Sequence, residues 1–171
     1  NVQPGTYTGT DDNIITLPAH GISIIGVPGS TIIDGEGERR GLIGDGCGDN
    51  GTVIEGLTFT NGFADGADGT YDGCGGGISL SCCSPAFIDC IITNNHSEQN
   101  GGGVGINGLS CDPTFTDCEI SWNTATGGGG IWIDEGDCGA ANDLQPIFDK
   151  CLINNNDATW TGGGFYISFI D

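Results

Sequence analysis

The sequence predicts an all-β, single-domain parallel β-solenoid of about six coils, with little or no α-helix. Three observations lead to this prediction: a Gly-Gly-Gly tract that recurs, a Pro-x-Phe-x-x-Cys segment that recurs after it, and apolar residues that alternate along the chain. Self-similarity with a period of about 30 residues is typical of repeat proteins, in which each repeat forms one structural unit. Alternation with a period of two indicates short strands with one buried face.

The repeated unit begins with three glycines that lead into a strand. These tracts occupy residues 75–77, 101–103, 128–130 and 162–164. Cys90 and Cys118 are 28 residues apart, whereas Cys118 and Cys151 are 33 apart because the third copy contains an insertion at 135–144. Glycine accommodates tight corners with positive φ, so we expect the tracts to form corners of successive coils.

The segments that follow the tracts place equivalent residues on successive coils. One apolar position is shared by four coils: Leu57, Cys90, Cys118 and Cys151. We expect this column to face the core, where a free cysteine behaves as a small hydrophobe. The position five residues after each column cysteine is always asparagine: Asn95, Asn123 and Asn156. We expect an asparagine ladder at a corner, hydrogen-bonded between coils and tolerant of left-handed backbone.

The chain divides into N-terminal coils over 1–50, the repeats over 51–164, and an open C-terminal strand over 165–171. Its segments VQPGTYTG and NIITLPAHGISIIGVPGSTIIDGEG, followed by GGGI and SPxFxDCxIxxN repeats, resemble the right-handed parallel β-helix superfamily. More specifically, they resemble secreted bacterial proteins with pectate-lyase-like or polymorphic outer-membrane-protein-like repeats. The resemblance covers nearly the whole chain and implies a right-handed solenoid. Because that fold supports lyases, hydrolases, adhesins and structural proteins, it implies no single function.

The net charge and the cysteine content indicate which ligands and which compartment suit the protein. The formal net charge is −20, which disfavours nucleic acid, anionic lipid and polyanionic substrates such as pectate. Nine cysteines in an acidic chain suit an oxidising compartment, so we expect a secreted or cell-surface protein. No apolar run approaches the 18 residues of a membrane span, and we expect no membrane insertion.

Several cysteines outside the column are candidates for disulfides between neighbouring coils. Cys47 with Cys74, Cys82 or Cys83 with Cys111, and Cys138 with a remaining partner are the pairings we consider. Because nine is odd, at least one thiol is unpaired or bonds another chain. The sequence leaves the connectivity open.

One acidic glycine-rich loop is a candidate calcium site. It spaces Asp65, Asp68 and Asp72, and hard oxygen ligands on a turn suit Ca²⁺. A binding ion would relieve the repulsion among the acidic residues. The alternative is a solvated insertion, because the loop lacks the full EF-hand spacing and its closing Glu. No other cofactor is predicted.

The sequence disfavours an enzyme. Inverting β-helix hydrolases need carboxylates paired across one cleft, and Asp11 and Asp12 lie in a lead-in turn without a basic partner. Lyases need a basic residue to take the proton, but neither Arg39-Arg40 nor Lys150 lies in a recognisable motif; Arg39-Arg40 is expected to tie down an acidic corner. A polysaccharide lyase or hydrolase is therefore the third hypothesis.

The leading hypothesis is an extracellular structural protein that stacks head to tail into a filament. The last segment is the most apolar strand of the sequence and is in register with a fresh coil, so it should not be left in water. Either the chain is a fragment or a second copy covers this strand. We expect the joint to involve two sets of residues, at the two ends of the solenoid: Phe165, Tyr166, Ile167, Phe169 and Ile170 with Val2 and Tyr7.

The alternative hypothesis is a surface-adhesion or carbohydrate-binding β-helix. Trp122, Trp132 and Trp160 lie near the repeat corners, where exposed indole rings could stack on sugars. The competing interpretation is that the three rings cover glycine-rich turns.

Overall fold

The structure is a computed structural model that describes residues 1–49, 51–66, 74–108, 111–134 and 144–168. The described residues form 21 short strands and no helix. The first ten strands are β1 Gly5–Tyr7, β2 Asn13–Thr16, β3 Ser23–Ile25, β4 Thr31–Asp34, β5 Arg40–Gly48, β6 Val53–Glu55, β7 Thr58–Thr60, β8 Phe63–Ala64, β9 Ile78–Cys83 and β10 Ala86–Ile88. The others are β11 Ile91–Thr93, β12 His96–Ser97, β13 Val104–Asn107, β14 Thr114–Thr116, β15 Glu119–Ser121, β16 Thr124–Gly127, β17 Ile131–Asp134, β18 Ile147–Asp149, β19 Leu152–Asn154, β20 Asp157–Thr161 and β21 Phe165–Ser168.

The strands pair in parallel to form four sheets, one on each side of the coil. Sheet 1 has the order β1-β4-β7-β11-β15-β19, and sheet 2 the order β8-β12-β16-β20. Sheet 3 has the order β2-β5-β9-β13-β17-β21, and sheet 4 the order β3-β6-β10-β14-β18. The predicted all-β parallel solenoid is therefore confirmed, with about five turns in the structure.

The core is built from columns of identical or similar side chains. Phe87 pairs in register with Phe115, and Phe115 with Phe148. Their rings stack with centroids 4.7 and 4.9 Å apart, which matches the spacing of parallel strands. In sheet 3, Ile78, Val104 and Ile131 are fully buried at one inward position. Apolar burial along these columns is the main force that holds the coils together.

The two ends of the stack are called here the lower rim, β1 to β3, and the upper rim, β18 to β21. Sheets 1, 3 and 4 each run from a lower-rim strand to an upper-rim strand, whereas sheet 2 begins at β8. Within the described residues, no helix is long and apolar enough to span a membrane.

Candidate functional site

The corner between sheets 1 and 2 contains a ladder of buried asparagines. Nδ2 of Asn95 donates to Oδ1 of Asn123, and Nδ2 of Asn123 donates to Oδ1 of Asn156, both at 3.0 Å. Each Oδ1 also accepts the backbone N–H of the asparagine below it, at 2.9 Å. Asn95 and Asn123 are 1% and 0% exposed, so the ladder lies inside the coil. The left-handed residue of this corner is the one before the asparagine, for example Asn94 with φ 56°.

The glycine tracts lie against this ladder at the corner between sheets 2 and 3. The first glycine of each tract has positive φ, as at Gly101 with φ 65°. A Cβ on the third glycine would collide with the ladder: on Gly103 it would be 2.8 Å from Nδ2 of Asn123. Sequence analysis finds both motifs but not their contact, because nothing in the spacing places one against the other.

The column cysteines lie on successive coils. Leu57, Cys90 and Cys118 are buried, and Cys151 on the upper rim is half-buried. Each thiol donates to a backbone carbonyl, as Cys90 does to the oxygen of Ile88 at 3.4 Å. A thiol–thiol hydrogen bond with Cys90 raises the pKa of Cys118, and burial raises it further. Cys90 and Cys118 are therefore core groups and not exposed nucleophiles.

The structure contradicts the first two of the predicted pairings, because Cys74, Cys82 and Cys111 are free thiols. Cys47 bonds Cys83, with Cα atoms 4.8 Å apart, and does not bond Cys74. Strand register explains this bond. Gly48 pairs with Cys83 in sheet 3, so Cys47 lies next to Cys83 on the coil below. Cys74 is a buried free thiol, and its pKa is raised to about 11 by burial. Cys138 lies outside the described residues.

Cys111 lies beside this disulfide, one coil above it. Its thiol donates to the carbonyl of Cys83 at 3.0 Å, and its sulfur accepts the Cys83 N–H at 3.5 Å. Cys83 is thus bracketed by Cys47 below and Cys111 above. Burial raises the pKa of Cys111 to about 12.

The upper rim exposes side chains at positions that are buried in the coil directly beneath it. Phe165 is 39% exposed, although its register partner Ile131 is 0% exposed. Ile167 is 46% exposed, although its partner Ile133 is 5% exposed. Tyr166 continues the neighbouring outward position, and Phe169 and Ile170 lie outside the described residues. The rim therefore presents an apolar, core-like surface.

The lower rim is apolar as well. Tyr7 pairs with the buried Ile33 and is itself 37% exposed, with its hydroxyl donating to the carbonyl of Gln3 at 2.9 Å. Val2 is half-buried and donates its N–H to the carbonyl of Ile25 at 2.7 Å. Among the described residues, both rims thus expose the last apolar side chain of a hydrophobic column.

The acidic loop predicted to bind calcium is only partly described. Asp65 is exposed on the turn after β8, whereas Asp68 and Asp72 lie outside the described residues. In the part of the chain that the structure describes, no three His, Cys, Asp or Glu side chains form a group that could hold a metal ion.

The three tryptophans lie in different environments. Trp122 and Trp160 are 58% and 77% exposed, as a sugar-stacking role requires. The expectation for Trp132 is wrong, because it is 3% exposed. Strand alternation places it opposite the core residues Ile131 and Ile133, yet it is covered there. It therefore cannot present its ring face to a sugar.

The two adjacent arginines have different roles, which the sequence does not separate. Arg39 pairs with Glu36 and with Glu38, so it ties down an acidic corner. Arg40 is 8% exposed, and its Nε donates to the carbonyl of Gly75 at 2.9 Å. Arg40 lies on the coil below and thus stabilises the corner formed by the first glycine tract, residues 75–77.

Comparison with known proteins identifies no relative. No protein-family profile, no curated protein and no solved structure matches the chain.

Proposed function

We propose that this protein is an extracellular structural subunit whose solenoid stacks head to tail on a second copy. The observation that carries the proposal is the upper rim, where inward-facing Phe165 and Ile167 are exposed in the positions that are buried one coil below. Coil-on-coil stacking would bury them in the same way, and burial of such side chains is worth roughly 1.5–3 kcal/mol each.

The two rims are matched in their strands. A second copy placed on the upper rim can bring β1 onto β19 and β2 onto β21, which continues sheets 1 and 3, whereas sheet 4 has one strand fewer and is interrupted at the joint. Parallel pairing at the joint would then repeat the pairing inside each chain. Because the two surfaces differ, the contact is heterologous and propagates as a filament.

Other features favour an extracellular setting for this assembly. The Cys47–Cys83 disulfide suits an oxidising compartment. The resemblance to secreted bacterial β-helices of the pectate-lyase-like or polymorphic outer-membrane-protein-like kind supports the same setting. The net charge of −20 opposes stacking at low salt, so Ca²⁺ or a higher ionic strength should promote it.

The test compares two substitutions on the same rim. Ile167→Asp places a charge at an inward-facing position of the upper rim and should abolish assembly. Ile147→Asp is the matched control, because Ile147 is also apolar and 56% exposed but points away from the core side of sheet 4. Sedimentation velocity of both variants and of the unmodified protein measures the result.

The expected outcome is filaments for the unmodified protein and for Ile147→Asp, and monomers for Ile167→Asp. The proposal is wrong if the unmodified protein stays monomeric across salt and CaCl₂ concentrations. It is also wrong if Ile167→Asp assembles as well as Ile147→Asp does.

A further inference from the structure

At the corner between sheets 1 and 2, one residue differs from its counterparts on the other coils. The left-handed position is filled on four successive coils by the corner column: Asn61, Asn94, Trp122 and Asn155. Trp122 has φ 59°, close to the 51–56° of the three asparagines. Asparagine adopts this conformation readily, whereas a bulky side chain there is a genuine outlier. Local sterics therefore favour asparagine on every coil of this corner.

Core packing does not account for the tryptophan. Its side chain is 58% exposed, so most of the ring faces water. Of the described non-glycine residues with positive φ, Trp122 is the only one with a large apolar side chain. A residue that is both strained and exposed is a candidate for a functional role.

An open groove lies on the same corner, below Trp122. It has a volume of about 360 Å³, and its lining includes Asp34, Asn61, Phe63, Asn94 and His96. The rings of Phe63 and His96 stack, with centroids 5.8 Å apart and planes 16° apart. Nδ2 of Asn61 donates to Oδ1 of Asp34 at 3.0 Å. The groove thus combines an aromatic wall with amide and carboxylate groups.

The groove and Trp122 form one strip along the stack. Backbone hydrogen bonds link the corner on successive coils, including that from the Asn94 N–H to the Ser121 carbonyl, the residue before Trp122. Asn94 therefore lies one coil below Trp122, and Asn61 lies two coils below, about 10 Å away at the usual strand spacing.

We propose that this strip binds a neutral polysaccharide chain that runs along the stack. The Trp122 ring stacks on the apolar face of one sugar, and Asn94, Asn61 and Asp34 hydrogen-bond to hydroxyl groups of the sugars in the groove. The ligand is neutral because the Asp34 carboxylate would repel an anionic sugar and no lysine or arginine lines the groove, where the Glu36 carboxylate is already paired with Arg39. Since the strip lies on the side of the solenoid, this binding does not depend on end-to-end assembly.

The decisive variant is Trp122→Asn, which removes the ring and installs the residue that the other three coils carry. It should fold at least as stably as the unmodified protein, because it relieves the left-handed strain. The probes are hydroxyethylcellulose, arabinoxylan and galactomannan, with polygalacturonate as the anionic comparison. Affinity gel electrophoresis and calorimetry measure binding, and thermal unfolding measures stability.

At least one neutral polysaccharide should retard the unmodified protein, and Trp122→Asn should weaken that binding about tenfold or more. Asn94→Gly keeps the left-handed backbone, removes one amide, and should weaken binding independently. Trp160→Ala should bind normally, because Trp160 is an exposed tryptophan outside the corner column.

Three results would overturn the proposal: no neutral polysaccharide is bound, polygalacturonate is bound in preference, or Trp122→Asn and Asn94→Gly bind as the unmodified protein does.

Discussion

Gly103 and Asn123 lie against each other on neighbouring coils. Gly103 belongs to the corner between sheets 2 and 3, and Asn123 to the corner between sheets 1 and 2. A Cβ on Gly103 would lie 2.8 Å from Nδ2 of Asn123 and 2.7 Å from the carbonyl oxygen of Gly130. The same contact recurs below, where a Cβ on Gly77 would lie 2.8 Å from Nδ2 of Asn95. The glycine tract and the asparagine ladder are therefore one structural unit, repeated on each coil.

The first prediction concerns this contact. Gly103→Ala should lower the free energy of unfolding by about 1–3 kcal/mol, because backbone and ladder must move to admit the methyl group. Gly164→Ala is the matched control at the equivalent position on the upper rim, where a Cβ would meet only Ile153 Cγ2, at 3.8 Å. Urea unfolding measures both. Equal stabilities of the two variants would contradict the coupling.

The second prediction concerns the ladder itself. Asn123→Ala removes the acceptor of the Asn95 N–H and Nδ2 and the donor to the Ile92 carbonyl. Because these groups are buried, the loss should cost roughly 2–5 kcal/mol of unfolding free energy. Asn94→Gly, on the exposed side of the same corner, should change stability by much less. A small effect of Asn123→Ala in thermal or urea unfolding would show that the ladder is dispensable.

The third prediction concerns the cysteines that bracket Cys83. In oxidised Cys47→Ser, Cys83 should pair with Cys111, since the Cys111 thiol already contacts the Cys83 carbonyl at 3.0 Å. Mass spectrometry of peptides from acid-quenched, alkylated protein identifies the bond. Cys74→Ser should leave the Cys47–Cys83 bond unchanged. Recovery of Cys83 and Cys111 as free thiols in oxidised Cys47→Ser would refute this prediction.

The fourth prediction concerns pH. Burial raises the pKa values of Cys74 and Cys111 from 9.0 to about 11 and about 12, so the folded protein keeps protons that the unfolded chain releases. Their contribution to stability is complete below pH 9 and is lost as pH rises towards those values, by at most about 1.4 kcal/mol per pH unit for each thiol.

Urea unfolding at increasing pH, under conditions that prevent disulfide exchange, measures this slope. The double variant Cys74→Ser and Cys111→Ser should show a shallower decline above pH 9. An unchanged decline would mean that other groups cause it.

Much of the fold could be predicted because a solenoid repeats its local chemistry in the sequence. The period, the parallel strands and the four-residue column of Leu57, Cys90, Cys118 and Cys151 all follow from spacing and alternation. Each coil is stabilised by the coil next to it. Residues at equivalent positions of successive repeats are therefore neighbours in space, and the repeat spacing alone predicts their contact.

The rest could not be predicted, because it depends on which way each residue faces at a corner. The placement of Cys83 above Cys47 follows a register shift in sheet 3 between Asp45 and Gly48. Likewise, nothing in the local sequence distinguishes the buried Trp132 from the exposed Trp122. The left-handed φ of Trp122 can be inferred only by aligning Trp122 with the three asparagines of the corner column.

Electron microscopy of the purified protein at raised ionic strength tests the proposed stacking most directly. Coil-on-coil stacking predicts unbranched threads with a subunit repeat of about 29 Å, which corresponds to the six strands of sheets 1 and 3 at a spacing of about 4.8 Å. Ile167→Asp should give isolated particles under the same conditions. Isolated particles from the unmodified protein, or threads with a repeat unrelated to the strand spacing, would contradict the proposal.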